Sequence, residues 1–182
     1  MEEKNNPKIY WTLLAHEEWN LYMAATSKGL CYVGSQNKPF EELSDWVEGR
    51  FPDNVLVQDD KKLQPYATEL VEYLQGERKN FTIPFDFHGT PFQVAVWNAL
   101  CEISYGQTQS YSDIASYIQK PAAIRAVGAA IGANPILIIV PCHRVIGKNG
   151  SLTGYRGGLD MKTQLLQLER ERSLVEGRPL HA

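Results

Sequence analysis

Three short apolar runs open the chain, KIYWTLL, NLYMAAT and GLCYVGS, separated by the polar breaks HEEW and SKG. Runs this short, rich in aromatic and aliphatic side chains and bounded by charge or glycine, predict an antiparallel β-meander. PFEELSDWVEGRF has the spacing of a short amphipathic helix, NVLVQ reads as a strand, and QPYATELVEYLQGE as a second helix with Pro65 near its start. FTIPFDF reads as a last strand broken by Pro84. These elements predict a mixed α/β domain over residues 1–88, with HGTP as its linker to the second half of the chain.

Beyond that linker the period lengthens. PFQVAVWNALCEI, YSDIASYI and PAAIRAVGAAIGA predict three helices, the third beginning at Pro121, a residue that suits a first helical turn. A continuous apolar run over 136–140 predicts a buried strand that stops at Pro141. KNGSLTGYRGG is a glycine-rich excursion, GLDMKTQLLQLERERSL a final helix, and residues 175–182 a loose tail. Residues 89–182 thus form a mainly helical second domain. Its second and third helices, separated only by Gln119 and Lys120, have a helix-turn-helix outline.

Composition adds limits. A chain of 182 residues with 43% hydrophobic content buries a real core as one large domain or two small ones. The N-terminal segment MEEKNNPKIYW is polar and acidic, and the longest apolar stretch, 136–141, is too short to cross a bilayer. The expectation is a cytoplasmic protein without a membrane partner. Cys31, Cys101 and Cys142 are far apart and odd in number, so neither a disulfide framework nor a paired-cysteine metal knuckle is expected. The net charge of −3 conceals two opposite halves: residues 1–89 carry 9 Lys+Arg against 15 Asp+Glu, and residues 90–182 carry 9 against 6. The second half therefore tolerates an anionic ligand.

The helix around Arg125 sharpens that point. It carries Ala122, Ala123, Ala126, Gly128, Ala129 and Ala130, with Arg125 its one long polar side chain. A helix that reads bases in the major groove needs several polar fingers. This one is either a tightly packed core helix with one solvated Arg, or a smooth surface that approaches DNA closely and is nearly blind to sequence.

The candidate chemistry lies in IIVPCHRVIG. A lone cysteine is more often a small buried hydrophobe than a nucleophile. Here Cys142 is expected at the end of a stiff strand, and its neighbours His143 and Arg144 are positive groups that favour a thiolate. Adjacent side chains seldom face each other, so proton transfer between Cys142 and His143 calls for a water or a bend. On the last helix, Leu159, Met161, Leu165, Leu166 and Leu168 share one half, and Glu169 falls in the middle of it with Lys162 nearby. A carboxylate there is exposed at an edge, paired with Lys162, or bonded into the core, because burying it unpaired costs several kcal/mol. The functional alternative is that Glu169 orients His143 in a Cys–His–Glu relay. Asn134, before Pro135, either starts a turn or ties the Arg125 helix to the backbone around Cys142.

Ser110-Tyr111, the Arg125-Ala-Val-Gly128 helix, Asn134-Pro135, Pro141-Cys142-His143-Arg144-Val145, Gly154-Tyr155 and Glu169 occur in the order found in one family. Over residues 89–172 the chain resembles the O6-alkylguanine-DNA alkyltransferases, and PCHRV is among their more specific signatures. The resemblance implies a ribonuclease H-like first domain and a winged helix-turn-helix-like second domain that carries the acceptor cysteine. It also implies sequence-independent binding of double-stranded DNA by a monomer. The alkyl group would pass irreversibly, once per molecule, from O6 of guanine, and from O4 of thymine, to Cys142, with the target nucleotide flipped out.

By the same resemblance, His143 takes the thiol proton through a water, Glu169 orients it, Asn134 braces the backbone, and Tyr111 helps protonate the leaving guanine. Arg125 fills the gap left by the flipped nucleotide, with Ser110, Tyr111, Ala123 and Ala126 on the DNA face. Tyr155, Arg156, Val145 and Lys162 line or support the substrate pocket. Some relatives bind zinc in the first domain; Cys31, His16 and His88 lack a second early cysteine, so no metal or other cofactor is expected. Arg156 stands where some members have a small residue, and is read as a phosphate contact or a side chain that crowds the pocket. No cysteine- and histidine-rich sensor module is evident. Two rival classes remain: a damage-recognition module without chemistry, in which relatives replace the cysteine that is intact here, and a Cys–His hydrolase, for which no substrate groove is evident.

Overall fold

Strands β1 (Lys8–His16), β2 (Trp19–Ala25) and β3 (Leu30–Val33) form the expected antiparallel meander, seen in a computed structural model that describes residues 6–176. Strand β4 (Val55–Gln58) adds parallel to β1, giving a four-stranded sheet in the order β3-β2-β1-β4. Helix α1 (Phe40–Arg50) packs Leu43 and Val47 with Ile9, Ala24 and Tyr32 in a small satellite core. Helix α2 (Asp60–Leu74) begins a turn earlier than expected, because Asp59 accepts a hydrogen bond from the Lys62 amide and so caps it. Pro65 therefore lies inside the helix.

FTIPFDF is not a regular strand. Only Phe85 bridges to Leu30, through Leu30 N to Pro84 O and Asp86 N to Leu30 O, while Pro84 has no amide with which to continue a ladder. Glu69 clamps the start of the segment by accepting from the Thr82 amide and hydroxyl.

Thr90 and Gln93 form a capping box that starts α3 (Pro91–Cys101). The two-residue strand β5 (Gln109–Ser110) leads into α4 (Tyr111–Tyr117), capped by Ser110 and Asp113, and α5 (Ile124–Gly132) comes next. Pro121 is not in α5: Gln119 turns the chain with φ 63°, the Ala123 amide reaches Lys120 O, and the helix starts at Ile124. Strand β6 (Val145–Ile146) pairs in parallel with β5, and α6 (Leu159–Glu176) closes the described chain. It includes residues 175 and 176, expected in a tail; the rest of that tail and the first five residues lie outside the described residues.

The largest correction concerns residues 136–140. They are fully or almost fully buried, as expected, yet they are not a strand. Ile136 makes one bridge to Val33, and Ile138 then adopts φ 69°, a left-handed conformation unusual for a β-branched residue. The chain turns back on itself through Ile139 N to Leu137 O and Val140 N to Ile136 O. Burial of this apolar turn holds the strained backbone. One core runs through both halves, joining Leu21, Met23, Val33, Leu70 and Tyr73 to Val96, Trp97, Val127, Ile138 and Leu165. Among the described residues, no helix is long and apolar enough to cross a membrane, and no group of three or more His, Cys, Asp or Glu side chains is placed to hold a metal ion.

Candidate active site

The buried turn delivers Cys142 to the start of a single 3₁₀ turn, Cys142–Arg144, rather than to a strand end. Successive side chains of a 3₁₀ turn splay by about 120°. Cys142, 4% exposed, therefore faces away from Arg144, whose guanidinium turns inward: Nε donates to Glu169 Oε1 at 2.8 Å, Nη2 to Oε2 at 3.1 Å, and Nη1 to Ile103 O at 2.6 Å. His143 is fully buried, with Nε2 2.6 Å from Glu169 Oε2 and Nδ1 without a protein partner among the described residues. An ionised Glu169 makes Nε2 the protonated nitrogen and leaves Nδ1 as acceptor.

Glu169 is thus bonded into the core, not paired with Lys162. Burial alone would push its carboxyl up, but the His143 and Arg144 bonds and charges outweigh that and bring it to about 2. Lys162, itself buried, donates from Nζ to Val145 O at 2.7 Å and Thr153 O at 3.0 Å, tying β6 to the glycine-rich loop. Burial lowers its pKa, and the nearby Cys142 opposes that effect.

Asn134, just past α5, accepts from the Ile136 amide through Oδ1 and donates from Nδ2 to Val140 O at 3.0 Å and Ile136 O at 3.3 Å. This amide stitches both ends of the buried turn together and lies against the Cys142 sulfur. The expectation that the neighbouring His143 and Arg144 favour a thiolate at Cys142 is not met. Burial raises its pKa more than Asn134, Arg156 and Lys162 lower it, and Arg144 spends its charge on Glu169. At rest the group is a thiol.

Tyr155 is half-buried beside Cys142, with its hydroxyl buried and unpartnered among the described residues and its ionisation pushed well up by desolvation. Gly157 permits the loop to pass over it: a Cβ there would stand 2.7 Å from Tyr155 Cε1 and 2.5 Å from Met161 Sδ. Tyr111, at the start of α4, shares a 2.7 Å hydrogen bond with Thr153 Oγ1 and packs over Gly128. Arg125 and Ala126 are exposed on α5, Ala123 is half-buried at its cap, and half-buried Ser110 caps α4, so all four are at least partly accessible.

Arg156 behaves differently from either expectation. Its Nε donates to Asn134 O at 3.0 Å and its Nη2 to Val33 O at 3.0 Å and Pro135 O at 3.3 Å, while Nη1 lies 3.6 Å from Glu42. The guanidinium is committed to carbonyls where β3 meets the site, not offered to phosphate. We expect Arg156→Ala to leave the ratio of methyl to benzyl transfer rates unchanged and to lower stability by about 1–3 kcal/mol through the hydrogen bonds lost at these carbonyls. Parallel rate measurements on the two adducts and thermal melts check this.

Sequence reasoning did not single out Tyr73, on α2, whose hydroxyl donates to Glu169 Oε2 at 2.5 Å, or the Gly106 amide, which donates to Oε1 at 3.1 Å. Tyr73 looks like one more apolar position of an amphipathic helix, and nothing local marks its partner 96 residues away.

The family model for the DNA-binding domain of 6-O-methylguanine DNA methyltransferases matches residues 91–171, and that for their ribonuclease-like domain matches residues 9–87. The chain belongs to this family. It is 68% identical over 171 residues to the inducible methylated-DNA–protein-cysteine methyltransferase of Bacillus subtilis, covering 94% of this chain and 96% of that protein. It is 41% identical to the methyltransferase of Methanosarcina barkeri, covering 88% and 97%.

Among solved structures, the O6-methylguanine methyltransferase of Mycobacterium tuberculosis superposes with a TM-score of 0.78 at 37% identity, covering 94% of this chain and 96% of the other. A Mycobacterium tuberculosis OGT structure in complex with DNA superposes with a TM-score of 0.75 at 37% identity, covering 91% and 94%. This methyltransferase chain therefore has the expected fold class: an N-terminal sheet domain of the ribonuclease-like kind, then a helical DNA-binding domain carrying Cys142.

Proposed function

We propose that this protein repairs double-stranded DNA by moving an alkyl group from O6 of guanine, and from O4 of thymine, onto Cys142, which keeps it. The coarser activity, methyl transfer from DNA to a protein cysteine, comes with family membership. In this reading residues 1–88 are the supporting domain and 89–182 the DNA-binding and acceptor domain of a cytoplasmic monomer. The observation that carries the reading is a buried thiol, 4% exposed, beside Tyr155 and backed by the His143–Glu169 pair. A thiol that deep meets a base only if the nucleotide leaves the stack, at a cost of a few kcal/mol.

Proton loss comes first. The Cys142 proton passes through a water to His143 Nδ1, and Glu169 stabilises the imidazolium from Nε2. The sulfur then attacks the alkyl carbon: the S–C bond forms, the C–O bond breaks, and its electron pair stays on the guanine, which takes a proton at N3 from Tyr111. Desolvation favours this step, because the soft anion exists only after the site has closed on its substrate. The thioether has no route back to a thiol, so each molecule acts once.

The smooth outer face of α5 suits binding that ignores sequence, with Arg125 propping the gap. Arg125→Ala is expected to weaken duplex binding about tenfold and to slow transfer correspondingly; unchanged values in a titration with methylated duplex would remove its role. Intact-protein mass spectrometry tests the whole reading. One methyl mass on the peptide bearing Cys142, at one equivalent per protein, is expected. An unaltered mass, or more than one lesion repaired per molecule, overturns it.

A further inference from the structure

We propose that Tyr73, contributed by the N-terminal sheet domain, is a positioning residue of the acceptor site that keeps His143 a weak base by competing for the same oxygen of Glu169. This rests on the reading of His143 as the group that takes the thiol proton. The observation is geometric. The Tyr73 hydroxyl, fully buried, donates to Glu169 Oε2 at 2.5 Å, and His143 Nε2 reaches that same atom at 2.6 Å; Tyr73 Oη and His143 Nε2 stand 3.5 Å apart.

An oxygen that accepts two strong donors gives each less than it would give one. Arg144 Nη2 adds a third donor to Oε2 at 3.1 Å, while Oε1 takes Arg144 Nε and the Gly106 amide. Such a carboxylate is held ionised, yet its negative charge is shared among donors and less of it is left to stabilise an imidazolium. Tyr73 is the one of these donors whose removal leaves no charge behind and changes no backbone.

The ring is held for the task. It meets Phe81 at 5.6 Å and Tyr105 edge-on at 6.0 Å between centroids, and the Arg144 guanidinium lies 5.6 Å from the Tyr105 ring. The charged and titratable groups around the pair are therefore Tyr73 on α2, Tyr105 after α3, Arg144 and Cys142 on the 3₁₀ turn, Tyr155 on the loop, and Lys162 on α6. Arg144 and Lys162 oppose a positive His143, and Glu169 alone favours it. Burial disfavours the charged ring most, so at rest His143 is neutral and Cys142 keeps its proton. Against that burial, the division of Glu169 between His143 and Tyr73 sets how much opposing charge the imidazole receives when it takes a proton.

Tyr73→Phe in the full chain tests this. Titration of labelled histidine, with His143 assigned by its absence from His143→Gln, is expected to show His143 about tenfold more basic than in the parent. The pH profile of single-turnover methyl transfer from O6-methylguanine duplex should show its acidic limb moved to higher pH by the same factor. Site-specific 3-fluorotyrosine at position 73 keeps the shape and strengthens the donor; it should move both readouts the opposite way, and serves where the Phe variant does not fold. If both variants overlay the parent in titration and profile, or lower the rate equally at every pH, Tyr73 is only packing and the proposal fails. Should the parent itself take no methyl group, the transfer reading fails, while the DNA-free titration still judges Tyr73.

Discussion

Cys142→Ser is expected to yield a protein that binds methylated duplex DNA as the parent does and takes no methyl group from it. The sulfur does two things a hydroxyl cannot. Its proton is acidic enough to be lost to a neutral imidazole, and its anion is polarisable enough to displace an alkoxide from carbon without a metal. Deleting the nucleophile of a comparable relay costs on the order of 10⁴-fold or more in rate, so transfer should fall below detection. The fold survives, because the site already holds a polar neighbour, the Asn134 amide, that a serine hydroxyl can use. Binding is expected to survive because the DNA face proposed on α4 and α5 is untouched. Gel-shift affinity beside a methyl-transfer assay checks both halves; residual transfer within tenfold of the parent would show that another atom accepts the group.

Glu169→Gln is expected to give the second largest effect, and it should appear in stability as well as in rate. The carboxylate is 1% exposed and receives Tyr73, His143, Arg144 and the Gly106 amide. An amide in its place turns an NH₂ toward one of these donors and leaves the buried Arg144 cation without its counter-charge. Breaking a buried pair in this way costs about 3–5 kcal/mol. At about 2–4 °C per kcal/mol for a chain of this size, the melting temperature should fall by roughly 10 °C. Methyl transfer should slow by about 10²-fold or more as the imidazolium loses its partner.

The parent carries a matching pH signature. Glu169 titrates near 2 in the folded protein against an ordinary 4.5, so its contribution to stability is complete above 4.5 and disappears as the pH falls toward 2. The Gln variant should lack that part of the acid transition. Melts of both proteins between neutral pH and pH 2 measure it, and parallel curves would show that Glu169 contributes no such stability.

These expectations depend on features that were unequally visible in the sequence. Glu169 announced itself, because a carboxylate in the apolar half of a helix needs a partner, and PCHRV supplied the candidates. The meander and the helices beyond the linker were legible from local spacing, whereas the Thr90–Gln93 and Ser110–Asp113 capping boxes that start α3 and α4 emerged only in the structure. Residues 136–140 misled, since five apolar residues between prolines have the composition of a buried strand; the fold instead needs a reversal there, and tertiary packing forces Ile138 into the left-handed region. The electrostatics of Cys142 misled for a related reason. Charges adjacent along the chain are not adjacent in a 3₁₀ turn, so Arg144 serves Glu169, and the cations that act on the sulfur, Arg156 and Lys162, lie 14 and 20 positions away. Tyr73 was out of reach altogether, its role set by a contact between domains.

The edge of β3 has a consequence for how such proteins can be recombined. Val33 receives the Leu137 amide and the Arg156 guanidinium, and Tyr73 lies directly behind the relay. The N-terminal half is thus the floor on which the acceptor loop stands. A chimera that joins this C-terminal half to another protein's sheet inherits a floor cut to a different loop, so the two halves have to change in step.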